Sequence, residues 1–175
     1  MALSHVDKGG RPAMVDVAAK PLTRRVATAC CEVVFPKTAA RTLHAAALRS
    51  KKGPVIDTAI IAGTLAVKRT HELIPFCHPL PIDGIQFDCV FVDPTRLRIE
   101  CTVSTLARTG VEMEALIGAS LAALTVYDMC KSLTLGIEIV ATRVVAKQGG
   151  KRDFVAVPAQ RKSRSPKASA ANTQK

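Results

Sequence analysis

Two strand-like runs, IQFDCVFVD (85–93) and RLRIECTVSTL (96–106), meet at Asp93-Pro94-Thr95, and this pair constrains the fold more than any other feature of the sequence. Their spacing and turn chemistry predict a β-hairpin. What flanks the hairpin then fixes the class. RVATACCEVVF (25–35) reads as a strand stopped by Pro36, and Ala-rich TAARTLHAAALR (38–49) reads as a helix. Ser50-Lys51-Lys52-Gly53-Pro54 is a turn cluster, with Pro54 suited to the first turn of a second helix over about 54–71. Pro75, Pro79 and Pro81 impose an irregular segment, IPFCHPLP, ahead of the hairpin. A long apolar pattern, about 111–133, predicts the last helix, Gly136 ends it, and IEIVATRVVAK (137–147) predicts the closing strand. Strand, helix, hairpin, helix, strand is the ferredoxin-like (split βαβ) pattern: an α+β fold with an antiparallel sheet, helices packed on one face, and here one extra helix.

Domain organisation follows. At 175 residues the chain suits one full core, with a flexible N-terminal arm expected over 1–22 and a single catalytic domain over 23–157. Residues 158–175 are expected to form a disordered basic tail, rich in Ser and Ala. The charge must be apportioned accordingly. Of the formal +11, five Lys or Arg with no acid fall in 160–175, and +6 remains on the rest. That remainder fits an anionic substrate or partner. No apolar run approaches the ~20 residues of a membrane span. MALSHVDKGG carries no signal-peptide pattern, so a cytoplasmic protein that neither spans nor binds a membrane is expected. The six cysteines lack disulfide or zinc spacing and read as core thiols in a reducing compartment.

Several residues could carry chemistry. Asp128 and Lys131 lie three apart on the long helix and so share a face. Their neighbours Tyr127, Met129 and Cys130 suit a partly enclosed acid/base couple better than a solvated ion pair. Glu114 and Asp128 are 14 residues apart on the same helix, roughly 21 Å. Both cannot reach one small substrate from the same copy, so if both function, the site is shared between subunits. Cys77 and His78 are adjacent in an extended segment and point to opposite sides, which disfavours a nucleophile pair. Together with His71 they match no usual metal spacing, and no metal is expected. His78 on a proline-stiffened loop remains a substrate-binding candidate. Lys52-Gly53 and Gly150-Lys151 could offer ammonium and backbone N–H groups to phosphate, or be ordinary turns. RNA binding is the rival class, but Phe35, Phe87 and Phe91 are the only strand aromatics and no KGFGFV-like run occurs, so no specific nucleic-acid partner is expected.

Four blocks, MVDVAAK (14–20), AGTLAVKRTHELIPFCHPL (62–80), TGVEMEAL (109–116) and ALTVYDMCK (123–131), together with AKQGGK (146–151), resemble the cyclic pyranopterin monophosphate synthase family of molybdenum cofactor biosynthesis. The resemblance covers nearly everything but the tail. It implies a lyase that converts (8S)-3′,8-cyclo-7,8-dihydroguanosine 5′-triphosphate into cyclic pyranopterin monophosphate and pyrophosphate, with no cofactor. A ferredoxin-like subunit would form a homohexamer, a trimer of dimers with the site at the dimer interface. Asp128 and Lys131 would be the acid/base centre. Phe76, Cys77, His78, Met113 and Glu114 would line the substrate, with Glu112, Lys52, Arg25 and Lys147 as further polar members. An RNA-binding module or an inactive member of the family is the alternative.

Overall fold

The computed structural model describes residues 9–156. The expected tail and the first eight residues of the expected arm lie outside the described residues. The chain runs β1 (Thr23–Val34), α1 (Lys37–Ala45), β2 (Arg49–Ser50), β3 (Gly53–Pro54), α2 (Val55–Lys68), α3 (Thr70–Leu73), β4 (Gly84–Asp93), β5 (Arg96–Ala107), α4 (Glu112–Cys130), β6 (Glu138–Gln148) and β7 (Phe154–Val155). The main sheet has the order β4-β5-β1-β6-β7 and is antiparallel at every pairing. The expected ferredoxin-like α+β architecture is the observed one.

The hairpin is in place: β4 and β5 pair from Gly84↔Ser104 to Asp93↔Arg96, with the Asp93 carboxylate accepting the Thr95 N–H at 2.9 Å. Alternation along β5 buries Leu97, Ile99, Cys101 and Val103, which meet Val33, Cys31, Ala29 and Ala27 of β1 across the ladder. This face carries α4, whose Ala115, Ala119, Ala122 and Ala123 are fully buried. Small residues let α4 lie low on the sheet. A Cβ at Gly118 would stand 2.6 Å from both the Cys101 sulfur and Val67, and one at Gly63 of α2 would stand 2.5 Å from the Phe87 ring and 2.9 Å from the Gly118 carbonyl oxygen. Glycine is needed at both positions for this three-way contact of α2, α4 and the sheet.

Three helix ends fall short of the expected boundaries, each for a local reason. α1 stops at Ala45, not 49, because Ala47 and Leu48 take left-handed conformations (φ 50° and 57°) while their N–H groups bond the carbonyls of His44 and Leu43. α2 stops at Lys68, not 71. The buried Thr70 hydroxyl bonds the Val67 carbonyl at 3.0 Å, offering the backbone an alternative to a further helical turn. α4 ends at Cys130, its last carbonyls engaged in a turn through Lys131 and Leu133.

α4 is also more span-like than the sequence reading allowed. Its 19 residues have a mean hydropathy of 1.3 over the best 18, enough by length and composition to cross a membrane. It is instead the central helix, and half of that stretch is buried within the chain. Residues 9–22 have almost no regular structure but are held to the body: the Arg108 guanidinium bonds the Lys20 carbonyl at 3.1 Å, and the His78 ring bonds the Val15 carbonyl at 2.9 Å.

Candidate active site

The two ends of α4 gather two separate groups of polar side chains. At its N-terminus, Glu112 and Glu114 occupy the first turn, where the helix dipole favours negative charge. Glu112 accepts from the Lys147 ammonium of β6 at 2.9 Å. Glu114 is 4% exposed, and its carboxyl is pushed above the ordinary glutamate value, first by burial and further by the nearby Glu112 charge. The proline-rich segment 74–83 packs alongside. Its far end is pinned to β5 by three bonds: the buried Thr105 hydroxyl to the Pro81 carbonyl, Asp83 N–H to the Ser104 carbonyl at 3.0 Å, and Leu106 N–H to the Asp83 carboxylate at 2.7 Å. Cys77, on this segment, is also raised above the ordinary thiol value by burial and by the charge of Glu114, so it stands as a neutral thiol at pH 7.

Two adjoining cavities open here. One, of about 440 Å³, is lined by Lys20, Arg25, Arg108, Lys147 and Lys151 together with the Gly149-Gly150 turn. The other, of about 400 Å³, is lined by Phe76, Cys77, His78, Met113 and Glu114, with Val15 and Val17 of the arm forming a wall. Lys20, Thr109, Gly110 and Glu112 border both. The first compartment concentrates cations. Arg25 is fixed by bonds from its guanidinium to the carbonyls of Ala107 and Arg108. Gly149 (φ +84°) has no room for a side chain, because a Cβ would fall 1.9 Å from the Arg24 carbonyl oxygen; this close turn carries Lys151 to the cavity rim.

At the other end of α4, Asp128 sits between two ammonium groups, Lys52 at 2.5 Å and Lys131 at 2.8 Å. Lys52 comes from the β2–β3 hairpin, shaped by the left-handed Ala47-Leu48 pair and by a bond from its own N–H to the Ser50 hydroxyl. The hydrogen bonds from Lys131 and then Lys52 hold the Asp128 carboxyl down to about 2, and Asp128 in turn raises Lys131. At neutral pH this is a carboxylate clasped by two ammonium groups, about half exposed.

The structure therefore brings Arg25, Phe76, Cys77, His78, Glu112, Met113, Glu114 and Lys147 to one place, and Lys52, Asp128 and Lys131 to another. It does not join them within one chain, because the helix between them is too long. Along that interval the outer surface is apolar: Leu124 of α4 and Ile61 and Leu65 of α2 are each more than half exposed. Lys151, expected from the Gly150-Lys151 junction as a possible phosphate ligand, does line the first cavity. Two further cavity-lining cations, Lys20 and Arg108, were not singled out from the sequence: Lys20 closes the MVDVAAK block and so carried a signal, and Arg108 carried none. The three aromatics read from the sequence as strand residues are taken up by packing, whereas Phe154 of β7, at the sheet edge, is 44% exposed. Phe35 is buried, Phe87 lies against Gly63, and Phe91 packs on Phe35 and on His44, whose ring centroid is 4.4 Å away.

The ferredoxin-like subunit thus carries a cation-lined compartment opening onto one walled by aromatic, thiol, imidazole and carboxyl groups, the site of an enzyme that acts on a small molecule. Residues 14–150 match the model of the MoaC family, and the chain belongs to that family. A cyclic pyranopterin monophosphate synthase of Xanthomonas oryzae pv. oryzae is 59% identical over 152 residues, covering 87% of this chain and 92% of the relative. The protein of that name from Brevibacillus brevis is 47% identical, over 85% of this chain and 92% of its own length. A molybdenum cofactor biosynthesis bifunctional protein of Synechocystis is 49% identical, and the match takes up 46% of that longer chain.

Proposed function

We propose that this protein is a cyclic pyranopterin monophosphate synthase of molybdenum cofactor biosynthesis, acting on (8S)-3′,8-cyclo-7,8-dihydroguanosine 5′-triphosphate and releasing pyrophosphate. The observation that carries the reading is the pair of adjoining compartments, one suited to a polyphosphate and the other to a pterin-forming ring. Lys20, Arg25, Arg108, Lys147 and Lys151 hold the triphosphate and stabilise the charge that develops as pyrophosphate leaves. Phe76, Met113, His78 and Glu114 hold the ring system. Asp128 enters the reaction as a carboxylate and takes a proton; Lys131, an ammonium beside it, gives one; Lys52 keeps the carboxylate ionised. These three come from a second copy, laid along the exposed apolar band of α2 and α4 so that its Asp128 end meets this chain's Glu114 end. A homohexamer made as a trimer of such dimers, in the cytoplasm, completes the reading.

The test is to incubate the purified protein with the cyclic triphosphate and follow pyrophosphate release. Wild type turns over, and Asp128→Ala and Lys131→Ala lower kcat by about 100-fold or more, as loss of a positioned acid or base does. A variant that turns over near the wild-type rate with its fold intact contradicts the assignment of that residue. No release from wild type contradicts the function.

A further inference from the structure

His78 makes one hydrogen bond, Nε2 to the Val15 carbonyl oxygen at 2.9 Å. A carbonyl oxygen carries no hydrogen, so the bond exists only if Nε2 bears the proton. The neutral ring then has a bare Nδ1, and among the described residues nothing partners it. Both residues of the bond line the ring compartment. The arm that supplies the carbonyl is folded and tied down just beyond Val15. Asp16 accepts the Ala18 N–H at 2.8 Å, the Lys20 N–H bonds the Val17 carbonyl at 3.0 Å, and Arg108 holds the Lys20 carbonyl. Val15 is therefore a fixed acceptor rather than a passing one. The loop around His78 is equally constrained, by Pro79 and Pro81 after it and, at its far end, by the Thr105 hydroxyl donating to the Pro81 carbonyl and the Leu106 N–H donating to the Asp83 carboxylate.

We propose that the N-terminal arm is a working part of the site: the Val15 carbonyl sets His78 as its Nε2–H tautomer, and the bare Nδ1 is the atom His78 offers to the ring of the substrate, accepting a hydrogen bond from one of its N–H or O–H groups. This rests on the function proposed above for the choice of ligand, though the tautomer does not. It makes His78 an acceptor for the ring rather than a cationic clamp for phosphate, a task left to the neighbouring lysines and arginines. Val15 is a positioning residue that acts through its backbone, which a side-chain substitution at 15 would leave in place.

Nitrogen-15 NMR of the full chain labelled at histidine, without substrate, reads the tautomer directly; the His78 signals are identified by their loss in His78→Asn. Protonated Nε2 and unprotonated Nδ1 are expected at about pH 8; the opposite tautomer, or a ring protonated on both nitrogens at that pH, overturns the proposal. The second arm compares two variants in pyrophosphate release. An asparagine amide reaches the place of Nδ1 and a glutamine amide that of Nε2. His78→Asn should stay within about 10-fold of wild type in kcat/KM, and His78→Gln should lose about 10- to 100-fold more, the range of one substrate hydrogen bond left unmade. Melting temperatures within a few degrees of wild type show that both variants fold. Glutamine matching or exceeding asparagine overturns the Nδ1 assignment. A wild-type protein without activity fails the proposed function and the substrate half of this proposal, whereas the tautomer is read without turnover.

Discussion

Gly63→Ala sets two effects of known size against each other. In an exposed helix the change should stabilise, because alanine is favoured over glycine in a helix interior by about 1 kcal/mol. Gly63 is not exposed. The new methyl group would stand 2.5 Å from the Phe87 ring and 2.9 Å from the Gly118 carbonyl oxygen, both well inside contact distance. The phenyl ring can swing aside, since Phe87 is only half-buried, but the carbonyl belongs to the backbone of α4. α2 and α4 must then separate by several tenths of an ångström or more, at a cost of about 1–3 kcal/mol for an overpacked contact, and toward the upper end where backbone has to move. The net expected change is a loss of about 1–2 kcal/mol. For a chain of this size that lowers the melting temperature by about 2–8 °C. Thermal unfolding followed by circular dichroism, at matched protein concentration because assembly contributes to stability, reads it. A rise of the melting temperature by the propensity term alone would refute the close seating of α2 on α4.

Glu114→Gln should alter the pH dependence of stability. The carboxyl is raised in the folded state, so the folded chain holds that proton more tightly than the unfolded one, and wild type loses stability as pH climbs from the ordinary value of 4.5 through the raised one. Glutamine has no such loss, so the variant's stability relative to wild type should improve from pH 4 to pH 8 in parallel denaturant titrations; a difference flat with pH would contradict the raised carboxyl. Thr105→Val keeps the shape of a side chain that is 1% exposed but leaves the Pro81 carbonyl without its hydroxyl partner. A destabilisation of about 1–3 kcal/mol is expected, largely restored in Thr105→Ser, and an unchanged midpoint would show the bond to be unimportant.

How much of this was legible in the sequence depended on how local the cause was. The alternation of β5, the Asp93-Pro94-Thr95 turn and the run of alanines in α4 act on their own neighbours, and the topology follows from them. The stop of α1 did not, because alanine and leucine at 47 and 48 give no sign of the left-handed backbone that turns the chain toward Lys52. The contact of Lys52 with Asp128 spans 76 residues, and the hold of Thr105 on Pro81 spans 24. Such pairings depend on the completed fold and leave no periodic trace. The cationic compartment shows the same limit: Lys147 lies in a family-like block and Arg25 was implied by the resemblance as a whole, but Arg108 enters only because β5 ends where the arm crosses it. The separation of Glu114 from Asp128, by contrast, needed nothing beyond helical rise.

That separation is the centre of the account, and subunit complementation tests it most directly. A chain disabled at one end of α4 (His78→Ala with Glu114→Gln) and a chain disabled at the other (Asp128→Ala) are co-expressed and purified together through different tags. If each site takes its two halves from two copies across a twofold axis, every mixed dimer contains one doubly disabled site and one intact site. Random pairing then makes about a quarter of all sites wild type, and pyrophosphate release should recover to about a quarter of the wild-type rate although neither parent is active. Activity no higher than that of the parents, in preparations shown to contain mixed dimers, would contradict a site shared between subunits.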